Sequence, residues 1–175
     1  DSMGARGVVK IERIEDEEDI ISAVKNALSA SRSSEALVEE YIDGPEFSID
    51  SLVYDGEITI CGFADRHIYF PPYFIEMGHT MPTDYSPEIQ QQVIDVFCKG
   101  VKAIGITQGA AKGDMKFSSK KGAMIGEIAA RLSGGFMSGW TFPYHSGIDL
   151  TGAAINIAAG ISPGSLNPQK TMVSA

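Results

Sequence analysis

Two alternating runs joined by Asp55-Gly56 constrain this chain more than any other feature. "EFSIDSLVY" (46–54) and "EITICGFADR" (57–66) both read as strands, and Asp-Gly between such runs is a strong hairpin signal. A two-residue connection of that kind forces the two strands to lie antiparallel. A second pair of runs, "TQGAAKGDMKF" (107–117) and "GAMIGEIAA" (122–130), flanks a short basic turn at Lys120-Lys121 and predicts a second hairpin.

Helical patterns separate these hairpins. "EDEEDIISAVKNALSAS" (15–31) spaces Ile20, Ile21, Val24 and Leu28 near helical intervals, with acids in its first turn at the positive end of the helix dipole. Ser86 is expected to cap a helix through about Ala103, with Pro87 at its first position and Glu88 following. "DLTGAAINIAAG" (149–160) predicts a small-residue helix ending at Gly160. Short strands are expected at Gly7–Glu12 and over "ALVEEYI" (36–42), with a turn at Asp43-Gly44-Pro45. "HIYFPPYFIEMGHTMP" (67–82) is aromatic and lacks clean periodicity, so it reads as a loop. The order αββ, loop, αββα predicts an α+β fold with mainly antiparallel strands.

Composition narrows the function. With 175 residues, 43% hydrophobic and 21% charged, the chain can bury an ordinary core, as one domain or two small lobes. A formal charge of −9 argues against binding to a nucleic-acid backbone, which needs clustered Lys and Arg. No apolar run approaches the roughly 18 residues of a membrane span, so no membrane partner is expected. Cys61 and Cys98 lack metal-ligand spacing and read as reduced packing residues of a cytoplasmic protein. No Ser-His-Asp or Cys-His arrangement stands out. Asp1 is not an initiator Met, and the glycine-rich "SMGARG" follows without room for a preceding strand, while "TMVSA" begins like a strand and stops. The chain therefore reads as a fragment of a longer polypeptide.

The second hairpin poses a chemical question. With Lys120-Lys121 as the tip of a tight turn, Asp114 falls directly opposite Glu127, where Cβ atoms lie roughly 4.5–5.5 Å apart. Like charges there destabilise a sheet unless a cation lies between them or one acid takes up a proton. Met115 and Phe117 are expected on the core face with Met124, Gly126 and Ile128, leaving Asp114, Glu127 and Arg131 on the open face. A bulge at Gly122 would slip the register by one and part the acids. Spacing alone leaves two readings, a solvated hairpin face and a site for a hard divalent ion such as Mg²⁺. "SMGARG" is likewise open between a structural turn and a phosphate-closing loop with Arg6 adding charge. Glu39, Glu40 and Glu46 read most simply as strand-end acids, and Arg66, His67 and His79 are the basic residues of the aromatic region.

Taken in order, "DSMGARGVVKI", "LVEEYIDGPEFSID" and "KGDMKF…GEIAARLSGG" resemble the ATP-grasp superfamily of ATP-dependent carboxylate ligases. "YFPPYFIEMGHTMP" and "RLSGGF" are similar to its carboxylate–amine ligase and carbamoyl-phosphate-synthetase-like branch. The resemblance implies residues 1–38 as part of the small ATP-grasp lobe and 39–175 as the larger lobe. It implies that Ser2, Met3, Gly4, Ala5, Arg6 and Gly7 close over ATP phosphates, that Glu39, Glu40, Tyr41 and Ile42 hold adenine, and that Glu46 binds the ribose hydroxyls. Asp114 and Glu127 would bind Mg²⁺ or Mn²⁺, and Arg131 would stand beside the transferred phosphate and acyl group. Arg66 and His79 would recognise the carboxylate substrate, with Ser133, Gly134 and Gly135 lining the acceptor site.

The implied reaction is phosphoryl transfer from ATP to a small-molecule carboxylate, then attack on the acyl phosphate by an amine or similar nucleophile. The remainder of the same polypeptide is an expected partner, and a homo-oligomer is compatible. Two departures from the family pattern stand out. Its E-x-N motif is here Glu127-Ile128-Ala129, so the third metal ligand is missing. The phosphate-contacting Lys of the strand before the glycine loop would lie upstream of Asp1. A non-catalytic nucleotide-binding or regulatory relative is the alternative reading.

Overall fold

The structure, a computed structural model, describes residues 5–168, and within them the strand and helix periods of the sequence resolve into five strands and four regular helical segments. Helix α1 (Glu17–Ala30) starts at Asp16, whose carboxylate accepts from the backbone N–H groups of Glu18 and Asp19. Strand β1 (Glu46–Tyr54) turns through Asp55-Gly56 into β2 (Glu57–Tyr69), and β3 (Ile75–Thr80) follows. Helix α2 (Pro87–Ala103) leads to β4 (Gly109–Ser118) and β5 (Gly122–Ala129). A π-helical turn (Met137–Thr141) runs into α3 (Phe142–Ser146), and α4 (Leu150–Ala158) closes the described chain. The strands form one sheet in the order β3-β2-β1-β4-β5, and β1 pairs antiparallel with both β2 and β4, as β4 does with β5.

The α+β expectation holds, and several local expectations do not. Neither Gly7–Glu12 nor residues 36–42 form strands; Leu37 and Val38 are mostly exposed, and among the described residues no strand pairs with them. The aromatic stretch read as a loop carries the end of β2 and all of β3. Ser86 takes the cap position of α2, but its side chain makes no capping bond to the backbone. The π-helical turn and α3 had no counterpart in the sequence reading.

The described residues divide into two compact units. One comprises the residues up to Ile42 together with His67–Gly78; the other comprises Asp43–Arg66 and the chain from His79 onward. In the first, Gly7 adopts φ +77° against α1, where a Cβ would stand 2.9 Å from the Ala30 Cβ. The Tyr41 and Phe74 rings lie tilted with centroids 6.0 Å apart, and the Lys10 ammonium lies 4.5 Å from the Tyr41 ring centroid.

In the second unit, alternation along β1 sends residues to opposite faces. Phe47, Ile49 and Val53 join Met115 and Ala111 of β4 under Val93, Phe97 and Val101 of α2. Leu52 faces the other way, into a cluster with Phe142, Ile148, Leu150 and Ile157. That second cluster closes tightly over β2: a Cβ on Gly62 would fall 2.1 Å from the Phe142 ring. The rest of this face, from Glu46 to Asp50, stays polar.

Candidate functional site

The polar face is built from rows that cross four strands. Register places Arg66 of β2, Glu46 of β1, Lys116 of β4 and Met124 of β5 in one row. The next row holds Ala64, Ser48, Asp114 and Glu127, and the third Gly62, Asp50, Lys112 and Ala129. Asp114 and Glu127 are thus directly opposed, as the sequence led one to expect, but by a different route.

The turn is not the two-residue one. Ser119–Lys121 form a three-residue loop between the paired Ser118 and Gly122, with Gly122 at φ +75°. The Ser118 hydroxyl accepts from the N–H groups of Lys120 and Lys121 and donates to Asp43 at 2.6 Å, which holds the Asp43 carboxyl below its usual range. The longer loop slips the register by one, so Met115 opposes Ile125 and Lys116 opposes Met124. A bulge between Asp114 and Met115 then reverses the slip. Gly126 is its extra residue, and a Cβ there would sit 3.0 Å from the Asp114 carbonyl oxygen. Met124 therefore shares a row with Lys116 instead of lying on the core face, and Ile125 joins Ile128 beside Gly100 of α2.

The repulsion of the opposed acids is relieved by cations from β2 and β4. One Arg66 guanidinium nitrogen lies 3.1 Å from Asp114 Oδ1 and 3.4 Å from Glu46 Oε2. The Lys112 ammonium pairs with Asp114 Oδ2, and Lys116 reaches Glu46 Oε1 at 3.0 Å. All five side chains are less than one-fifth exposed, so these pairs are partly desolvated and stronger than surface pairs. Glu127 and Arg131 are over half exposed and stand 3.8 Å apart, a weak i,i+4 contact, while Arg131 also donates to the Leu132 carbonyl.

Asp50 anchors the loop that follows. It is fully buried, and Ser133 donates to its Oδ1 through both its N–H (3.1 Å) and its hydroxyl (2.6 Å). The Ser138 hydroxyl reaches Asp50 Oδ2 and also the Ser133 carbonyl at 2.9 Å. Burial pushes the Asp50 carboxyl above the ordinary range, with the serine bonds and Lys112 pulling the other way. The loop carries Gly134 and Gly135 on its exposed side, where a Cβ on either meets nothing within 4 Å.

Of the residues singled out in the sequence, Asp114, Glu127, Glu46 and Arg66 come together on one face, with Arg131 and Ser133 on the segment that follows β5. His79 lies on β3. Ala5, Arg6, Gly7, Glu39, Glu40, Tyr41 and Ile42 belong to the other unit. Ser2, Met3 and Gly4 lie outside the described residues. Lys112, Lys116 and Asp50 were missed. Their signal was present: Lys112 and Lys116 flank Asp114 at the period of a strand, and Asp50 shares the face of Glu46 at the same period.

The donor set suits one hard cation. Asp114 Oδ1 is buried and accepts no hydrogen bond, despite the nearby guanidinium, and Glu127 faces it across the pair with its carboxylate accessible. Among the described residues no three His, Cys, Asp or Glu side chains gather into a complete cage. Mg²⁺ keeps water and phosphate oxygens and takes one or two carboxylates from protein, so Asp114 and Glu127 are the residues that would hold it.

Comparison with known proteins agrees with this geometry. Residues 1–139 match the family model described as an ATP-grasp domain. Human carnosine synthase 1 is 26% identical over 127 residues, which is 73% of this chain and 15% of that protein, so the chain spans only a small part of that relative's length. Among solved structures, biotin carboxylase from Campylobacter jejuni superposes with a TM-score of 0.76 at 22% identity, over 93% of this chain and 36% of that one. An L-amino acid ligase from Bacillus licheniformis superposes with a TM-score of 0.65 at 23% identity, over 73% of this chain and 32% of that one. With the family model matched over most of its length, this chain belongs to the ATP-grasp family.

Proposed function

We propose that this chain is the ATP- and Mg²⁺-binding portion of a cytoplasmic ligase that joins a small-molecule carboxylate to an amine through an acyl phosphate. The observation that carries this reading is the opposed pair Asp114 and Glu127, set among Arg66, Lys112 and Glu46 on one sheet face of an ATP-grasp chain. The likeness to carnosine synthase 1 and to an L-amino acid ligase supports the amine-joining branch.

In this reading a carboxylate oxygen of the substrate attacks the γ-phosphorus, and the bond to the β-phosphate oxygen breaks to release ADP. The amine nitrogen then attacks the acyl carbon, the carbon–oxygen bond to phosphate breaks, and orthophosphate leaves as the nitrogen loses its proton. Asp114 and Glu127 would hold Mg²⁺ or Mn²⁺, which when bound offsets charge on the phosphate oxygens. Arg131, exposed just beyond the end of β5, offers a guanidinium to the oxygens where charge develops. Glu46 and residues 39–42 bind the nucleoside, residues 2–7 close over the phosphates, Arg66 and His79 take the substrate carboxylate, and Ser133–Gly135 line the acceptor site. Catalysis of this kind rests on positioning and fixed charges, with no covalent protein nucleophile.

Calorimetric titration of the full-length protein with Mg·ADP tests the reading. Binding that requires Mg²⁺ and is abolished by Asp114→Ala and by Glu127→Ala is the expected result. One observation favours a non-catalytic nucleotide-binding relative: Ala129 supplies no ligand where the ligases carry Asn. Equal ADP affinity with and without Mg²⁺ would select that alternative.

A further inference from the structure

Resting on the nucleotide-binding reading, we propose that Lys112 makes the acid pair selective for a divalent ion that arrives with a nucleoside phosphate, against the bare ion. Lys112 pairs with Asp114 Oδ2, and Arg66 lies 3.1 Å from Oδ1, so both oxygens of that carboxylate carry a cation. The other acids of this face are paired as well. Glu46 meets Arg66 at 3.4 Å and Lys116 at 3.0 Å, and Glu127 meets Arg131 at 3.8 Å. Three carboxylates thus stand among four cations.

Such a face has little pull on a bare divalent ion. An ion taking Asp114 has to share the carboxylate with the ammonium or displace it, and either way like charges meet in a partly desolvated place. A nucleoside diphosphate or triphosphate reverses the sign, because every cation that repels the ion attracts the phosphate oxygens that come with it. Lys112 is the cation best placed for this exchange. Its ammonium is a compact charge with three donors on a flexible four-carbon stem. Its row neighbours do not compete for it: Asp50 is taken by Ser133 and Ser138, and the Ala129 methyl offers no acceptor. Arg66, in contrast, is shared between Glu46 of β1 and Asp114 of β4 and is held on both. The ligand class is a nucleoside diphosphate or triphosphate together with its divalent ion.

The two effects of this charge have opposite signs, which separates selection from a merely structural role that would weaken both kinds of binding. The test uses the full-length protein, with Mn²⁺ binding without nucleotide followed by electron paramagnetic resonance and ADP binding at saturating Mg²⁺ followed by calorimetry. Lys112→Met is expected to tighten binding of Mn²⁺ alone by about 10-fold, the scale of a unit charge acting in water on a divalent ion a few ångströms away. The same variant should weaken ADP binding by about 10-fold or more, the scale of one charge-assisted hydrogen bond. Lys112→Arg keeps the charge and should bind Mn²⁺ alone as the wild type does. Circular dichroism reports folding; where Lys112→Met does not fold, Lys112→Gln, neutral but able to donate to Asp114, supplies the same two comparisons. Binding of Mn²⁺ alone that is not tightened in the folded neutral variant, an unchanged ADP affinity in it, or Lys112→Arg matching the neutral variant overturns the proposal while leaving the nucleotide-binding reading intact. No ADP binding by the wild type overturns both.

Discussion

Replacing Asp50 by alanine and by asparagine should give opposite results, and the difference follows from counting hydrogens. Ser133 places two donors on Asp50 Oδ1, while the single hydroxyl hydrogen of Ser138 has two acceptors in reach, Asp50 Oδ2 and the Ser133 carbonyl. With Asp50 ionised, Ser138 shares its hydrogen between the two acceptors; with a proton on Oδ2, Asp50 would donate to Ser138 and leave the Ser138 hydrogen to the Ser133 carbonyl. Burial raises the Asp50 pKa, with the Ser133 and Ser138 bonds and Lys112 opposing it, so the net shift is toward the protonated acid. Asp50→Ala leaves the two Ser133 donors without an acceptor, and each such loss costs about 1–3 kcal/mol. A total of about 3 kcal/mol corresponds to a fall in Tm of about 6–12 °C for a chain of this size. Asp50→Asn keeps the oxygen for Ser133 and supplies an N–H to Ser138, so it copies the protonated acid and should remain within about 1 kcal/mol of the wild type.

The sign of the pH dependence is also fixed. An acid whose folded pKa lies above its unfolded value favours the folded state most fully below about pH 4, and that contribution is lost as pH rises through the folded pKa. The charged and titratable groups facing Asp50 are Lys112 and Cys61, and the thiol stays neutral in this range. Stability of Asp50→Asn relative to wild type should therefore rise with pH above about 4 and then level off. Urea melts followed by circular dichroism across this range provide the measurement. An Asp50→Asn variant as unstable as Asp50→Ala, or a difference from wild type that does not vary with pH, would refute the proton assignment.

Two further outcomes are expected. Gly126→Val puts a branched side chain 3.0 Å from the Asp114 carbonyl and should cost about 1–3 kcal/mol of overpacking. It should also lower Mg·ADP affinity by parting Asp114 from Glu127, while Gly78→Ala, which meets nothing within 4 Å, should change neither in melts and titrations. Cys61 is buried and its thiol pushed up to about 11, so a disulfide reagent at mildly alkaline pH should titrate at most the half-buried Cys98 in the folded protein and both thiols in concentrated guanidinium. Rapid reaction of two thiols without denaturant would contradict the burial of Cys61.

The parts of the fold written in periodicity were legible. Alternation around Asp55-Gly56 predicted β1 and β2, and helical spacing predicted α2 and α4, because these patterns come from residues with one buried face; α1, which has no fully buried residue, was marked by its acidic first turn and helical spacing. β3 was hidden by the prolines and aromatics of residues 67–82, several of which, Tyr69, Phe70 and Tyr73 among them, are exposed and so break any burial period. Residues 36–42 erred in the other direction, since Leu37 and Val38 have strand-forming side chains but, among the described residues, no strand beside them. The π-helical turn depends on Phe136 adopting φ +64° after Gly135, a backbone choice that side-chain patterns do not encode.

The site shows why a correct pairing can rest on the wrong local reason. A two-residue turn at Lys120-Lys121 and a three-residue loop followed by a bulge at Gly126 give the same partner to Asp114, because two one-residue shifts of opposite sense cancel. They do not give the same sheet. Between loop and bulge the register is displaced by one, and this puts Lys116 opposite Met124 while Ile125 takes the helix side with Ile128. Beyond the bulge the polar rows resume, and Asp114 meets Glu127 with Lys112 beside them. Sequence alone weighed the acids as a pair and found repulsion. The sheet weighs them as part of a lattice with Arg66, Lys112 and Lys116 from β2 and β4, in which Glu46 and Asp114 already have cations while Glu127 is more than half exposed. An exposed acid whose contact with Arg131 is weak beside one paired on both oxygens is an asymmetric pair, in which Asp114 is held by the sheet and Glu127 keeps the freedom to meet a partner from solvent.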